Sequence, residues 1–75
     1  MHEQMRPIDE IRKDVIETMA ARDISARQIM RETGISHLTV NKFLRAEGET
    51  RPQTVVKLCL HLGLDWHQPR SGGGQ

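Results

Sequence analysis

Seventy-five residues allow one small domain with a single modest core and leave no room for a second domain. Hydrophobic residues make up 36% of the chain and charged residues 28%, a globular balance, and no apolar run approaches the roughly 20 residues that a membrane helix needs. The net charge of +1 announces no polyanionic partner by itself, so the distribution of charge matters more than its sum.

That distribution is uneven. Asp9, Glu10, Asp14 and Glu17 outweigh Arg12 and Lys13 in the first part, whereas Arg22, Arg27, Arg31, Lys42, Arg45 and Arg51 gather in the middle, opposed by Asp23, Glu32, Glu47 and Glu49. Any positive face should lie in the middle. Cys59 is the single cysteine, so no internal disulfide forms and a reducing compartment is the simplest setting. The start, Met1 to Pro7, carries no apolar core of a secretory signal, and the expected location is cytoplasmic.

Residues 1–6 show no apolar period and read as a flexible lead-in. A first helix is expected to begin near Pro7, which suits a first-turn position because its missing N–H has no partner there anyway. Asp9 and Glu10 complement the positive end of its dipole. Ile8, Ile11, Val15 and Met19 recur at helical spacing, with Ile16 and Ala20 on the shoulder, and predict an apolar face out to about Ala21. The charged face, including Arg12 and Lys13, reads as solvated surface.

After a link at Arg22 to Ile24, Ser25 and Gln28 form a capping box that starts a second helix running to Thr33. It buries Ile29 and Met30, and Gly34 ends it by accepting a left-handed backbone. Ile35 plugs the turn. Ser36 caps a third helix whose Val40, Phe43 and Leu44 face inward, leaving Ser36, His37, Leu38, Asn41, Lys42 and Arg45 largely outside. Two short capped helices joined by a tight turn have the layout of a helix-turn-helix.

Residues 46–50 read as a loop. A fourth helix is expected to begin around Thr50 to Pro52, with Thr50 and Gln53 as a second capping box, and to end at Gly63. Val55, Leu58, Cys59 and Leu62 form one stripe, while Val56 and Leu60 lie on a second apolar edge that a single core does not require. Leu64 to Gln68 can add one turn before Pro69, and residues 69–75 read as a flexible Gly-rich tail, leaving 7–68 as the folded domain.

A helix that enters the major groove needs an anchored inner face and hydrogen-bonding groups outside, near its N-terminal end. The third helix meets that description. Asn41 suits an adenine edge, Lys42 or Arg45 a guanine or a phosphate, Thr39 or Leu38 a thymine methyl, and His37 a base or phosphate as donor; with Ser36 these are the candidate base contacts. Ser25, Arg27 and Arg51, with the N–H groups at the helix starts, are the candidate phosphate contacts.

The order Ile24-Ser25, Gly34-Ile35-Ser36, Val40, Phe43-Leu44, Pro52, Leu58, Leu62-Gly63 and Leu64 resembles the lambda-repressor/Cro-like (XRE-type) helix-turn-helix family over about residues 8 to 66. The resemblance implies an all-α, compact domain of four to five helices that binds double-stranded operator DNA as a homodimer, with the third helix in the major groove. Departures are visible. Ala26 stands where the family often has a phosphate-gripping glutamine, and Met30 where a small alanine is usual. The loop from Arg45 to Pro52 is long and carries Glu47 and Glu49, and the fifth helix shrinks to a turn at most.

Val56, Leu60, Leu64 and Trp66 offer an apolar surplus for a dimer interface, although Trp66 can equally close the domain's own core. Cys59, His61 and His67 lack a fourth ligand at metal spacing, so no metal, no cofactor and no enzymatic activity are expected, and His61 reads as solvated. The expected function is that of a small Cro-like repressor. The other reading is a protein-interaction module or antitoxin component whose fourth helix and Trp66 bind a partner.

Overall fold

The computed structural model describes residues 5–67. They form α1 (Ile8–Arg22), α2 (Ala26–Thr33), α3 (His37–Leu44) and α4 (Pro52–Leu62). Helices α2 and α3 pack chiefly on each other, α1 lies across α3 and α4, and α2 also touches α4. Among the described residues no helix is long and apolar enough to cross a membrane.

The helix starts follow local chemistry. Pro7 stands just outside α1, and its carbonyl accepts from the N–H groups of Glu10 (3.0 Å) and Ile11 (3.2 Å). Ser25 caps α2 by accepting from the Gln28 N–H at 3.1 Å, but the Gln28 amide does not reach back; it turns along the helix to Glu32 at 3.4 Å. Only half of that capping box is made. At α4 the expected box at Thr50 is absent, since Arg51 is the cap residue and makes no side-chain cap bond. Pro52 accounts for this, because it pushes the residue before it out of the helical region, and Arg51 sits at φ −63°, ψ 141°.

Three helices end in the same way. An N–H two or three residues past the end reaches back five positions to close the last turn: Ile24 to the Met19 carbonyl (2.9 Å), Glu47 to Lys42 (2.9 Å) and Leu64 to Cys59 (2.8 Å). Ile24 and Leu64 then pack against the core, the apolar contact that such ends favour.

The buried faces are Ile11, Val15 and Met19 of α1, Ile29 of α2, Ile35 of the turn, Val40 and Phe43 of α3, and Val55, Leu58, Cys59 and Leu62 of α4. The apolar periodicity selects these residues, but it also selects Ile8, which is exposed in the first turn of α1, and Leu44, which is half-buried. No polar or charged side chain is buried with them among the described residues. Met30, expected inside, is only half-buried.

Two expectations about the chain ends need correction. Residues 64–66 form no helical turn: His67 pairs in antiparallel fashion with Met5, and the Arg6 N–H donates to the Trp66 carbonyl at 2.9 Å. Met5 and Arg6 are therefore part of the folded unit and not of a loose lead-in. Met5 packs on the core, and the Arg6 guanidinium meets Asp14 at 2.6 Å and donates to the Asp65 carbonyl at 2.8 Å. The hydrogen bond to Asp14 pushes the Arg6 pKa above its ordinary value. Gln68, Pro69 and the glycine tail lie outside the described residues, as do residues 1–4.

Burial pushes the Cys59 thiol pKa up, because the thiolate loses hydration in the core. The folded thiol thus keeps its proton where the unfolded one ionises. Its contribution to stability is complete below the ordinary thiol pKa and declines as pH rises above it. Native protein should react with a thiol reagent only as fast as it opens, so the labelling rate should rise with urea in step with unfolding. Rapid labelling at zero urea would contradict the burial.

Candidate nucleic-acid interface

The helix pair α2–α3 is fixed by a turn with its own hydrogen bonds. Gly34 takes φ 82°, where a β-carbon is disfavoured, and its N–H donates to the Met30 carbonyl at 2.8 Å. The Thr33 hydroxyl donates to the Ile29 carbonyl at 2.7 Å while accepting from the Ile35 N–H at 3.1 Å. One side chain thus joins the last turn of α2 to the residue that plugs the turn. Its position before Gly34 was the available signal, because threonine hydroxyls bond backwards within a helix and can serve a neighbouring backbone group as well.

Helix α3 begins at Ser36, whose oxygen accepts from the Leu38 N–H at 3.2 Å. That leaves the Ser36 O–H as a donor, and Ser25 is in the same state at the start of α2. With Val40 and Phe43 buried, helical spacing sets Leu38, Lys42 and Arg45 in one row on the opposite side. Leu38 is 62% exposed, and Lys42 and Arg45 are exposed as well. His37 and Asn41 fall on one shoulder of that row and Thr39 on the other, all half-buried. Arg45 is the cap residue just past the helix, and Arg27 and Arg51 are exposed at the starts of α2 and α4.

Two contacts that sequence patterns do not reveal bear on α3. His37 Nδ1 lies 3.4 Å from the Met30 sulfur, joining the first turn of α3 to α2. At the other end, Arg12 of α1 donates from Nε to the Phe43 carbonyl at 2.7 Å, and its guanidinium lies 5.2 Å from the centre of the Phe43 ring. Arg12 is no solvated surface residue: its side chain is 18% exposed and also holds Asp9 at 2.6 Å. Nor is His61 merely solvated, since its Nε2 meets Glu32 at 2.8 Å and ties α4 to α2.

The exit from α3 holds a strained residue. Ala46 adopts φ 59° and donates to the Phe43 carbonyl at 3.2 Å. Glycine takes this conformation without the β-carbon clash. Ala46→Gly should therefore raise stability by about 0.5–1 kcal/mol in urea unfolding, after allowance for the looser unfolded chain. A net loss would mean that the alanine is not strained.

Of the apolar surplus, Leu64 and Trp66 pack against the core, with the Trp66 ring stacked on His67 at 3.8 Å. Val56 is half-buried, and Leu60 is 68% exposed. Among the described residues no group of three or more His, Cys, Asp or Glu is placed to hold a metal ion.

A family model described as the Cro/C1-type HTH DNA-binding domain matches residues 15–67. Comparison with curated proteins and with solved structures returned no match. The matched span takes in the second half of α1, the whole of α2, α3 and α4, and the turn held by Thr33 and Gly34. It covers more than half of the residues, and the capped α2–α3 pair lies wholly inside it. The chain belongs to the Cro/C1-type helix-turn-helix DNA-binding domain family.

Proposed function

We propose that this DNA-binding domain is a small sequence-specific transcriptional repressor of Cro-like action, which occupies its operator as a homodimer and so blocks polymerase. The observation that carries this reading is the outer side of α3: Leu38, Lys42 and Arg45 in one exposed row with His37, Asn41 and Thr39 beside it, on a helix anchored by Val40 and Phe43. A helix with that division of faces can enter the major groove without losing its own packing. Asn41 is suited to an adenine edge and Lys42 and Arg45 to guanine or phosphate, while Leu38 and Thr39 offer apolar contact to a thymine methyl. Ser36 and Ser25 donate from their free O–H groups, and Arg27 and Arg51 neutralise phosphates at the edges.

Dimerisation is assigned to the apolar surplus of Val56, Leu60, Leu64 and Trp66, of which Leu60 is the exposed member. Such a dimer presents two α3 helices, and its operator is a palindrome. If Leu60 instead serves a different protein, the chain is an interaction module or antitoxin component.

Selection of bound sequences from a randomised duplex pool at moderate salt tests the reading, because base readout persists when phosphate attraction is screened. The expected product is a palindrome with half-sites about one helical turn apart. Asn41→Ala should then lower operator affinity by about 1–3 kcal/mol with folding unchanged. A folded protein that enriches no sequence ends the repressor reading, and a single unrepeated short site ends the dimer.

A further inference from the structure

The contact between Met30 and His37 determines what His37 can offer to a base. His37 is the first residue of α3, and its Nδ1 lies 3.4 Å from the Met30 sulfur. A thioether sulfur carries no hydrogen and can only accept. The hydrogen of that contact therefore belongs to the ring, on Nδ1. A neutral imidazole has a single N–H, so Nε2, on the far side of the ring from the sulfur, is left with a lone pair.

Resting on the reading of α3 as the helix in the major groove, we propose that His37 is a specificity-determining acceptor: its Nε2 takes a hydrogen bond from an exocyclic amino group of a base. This inverts the donor role that the sequence suggests for it. In the major groove only adenine N6 and cytosine N4 supply such hydrogens, whereas guanine N7 and O6 and thymine O4 are acceptors that meet the Nε2 lone pair unfavourably. Met30 is then a positioning residue. It touches no base, but it fixes both the ring's orientation and its tautomer, much as a partner on one nitrogen sets the role of the other in a metal-bound histidine.

The test has one readout on the free protein and one on DNA, both at about pH 8.5, above the ordinary histidine range. Long-range proton–nitrogen spectra of the free domain should give the Nδ1–H tautomer for His37 in the parent protein, and loss of that preference in Met30→Leu, which keeps the side-chain volume. A dominant Nε2–H form in the parent overturns the inference. In sequence selection, the pair recovered at the position that His37 reads tells which amino group it takes, adenine N6 at an A·T pair or cytosine N4 at a G·C pair. His37→Ala should randomise that position and leave the rest of the consensus intact.

Duplexes in which the same base lacks its amino group should bind the parent about tenfold less tightly and His37→Ala no less tightly than the intact operator. An operator whose consensus is unchanged by His37→Ala removes this inference and leaves the repressor reading standing. If the folded parent enriches no sequence, both fall together. The spectra of Met30→Leu separate a sulfur effect from a general loss of packing, because circular dichroism should be unchanged in that variant.

Discussion

Phe43→Ala should leave the domain largely unfolded at 25 °C, the largest single-residue effect expected in this chain. Phe43 is 1% exposed, sits on α3 and is the only phenylalanine of the sequence. Removing a buried phenyl ring costs about 3–5 kcal/mol, part for lost transfer out of water and part for the cavity left behind. A single core in a domain this small rarely supplies more than about 3–5 kcal/mol, so little remains. Phe43→Leu keeps most of the volume and should stay folded with a reduced urea midpoint. If Phe43→Ala instead unfolds cooperatively within about 1 kcal/mol of the parent, the centre of the core has been misplaced.

Most of this core can be read without a structure, for a reason visible along α1 and α4. Ile11, Val15 and Met19 recur at four-residue spacing, and Val55, Leu58, Cys59 and Leu62 at three and four, so a helical period sends each set to one side. Serine before each short helix and glycine after α2 and α4 are local signals, and they mark local events. The capping box expected at Thr50 fails because another local rule, the restriction on the residue before proline, takes precedence there.

What the sequence conceals is non-local. The pairing of Met5 with His67 and the bond from Arg6 to the Trp66 carbonyl join the two ends of the folded unit, and no period or spacing within either segment signals them. The same holds for His61 with Glu32, a contact across 29 positions between two helices that each look complete alone. Within the candidate interface, the exposed row of α3 follows from periodicity. Its supports do not, because Met30 looks like a core residue on α2 and Arg12 like one more charge on a solvated helix face.

Arg12→Met should destabilise the domain by about 2–3 kcal/mol, a large effect for a residue outside the buried core. The last carbonyls of a helix have no partner within it, and they carry the negative end of its dipole. Arg12 answers both needs at the end of α3, since Nε donates to the Phe43 carbonyl at 2.7 Å and the cation lies over the Phe43 ring. A hydrogen bond from a charged donor contributes about 1.5–3 kcal/mol, and a partly covered cation over a ring adds on the order of 0.5–1 kcal/mol. Methionine retains much of the aliphatic stem and removes the fork, so the loss reports the contacts more than the volume. The ion pair to Asp9 counts for little, because Asp9 is exposed.

Lysine keeps the charge but not the planar, directed Nε–H, and Arg12→Lys should fall between the parent and the methionine variant. On DNA, loosening the end of α3 displaces Lys42 and Arg45 relative to α1 while leaving the phosphate contacts proposed for Ser25, Arg27 and Arg51 in place. Specific affinity should therefore drop more than non-specific affinity, with the salt dependence of binding unchanged. A salt slope that falls by about one unit would place Arg12 on a phosphate, and its role would then be contact with DNA and not support of the helix.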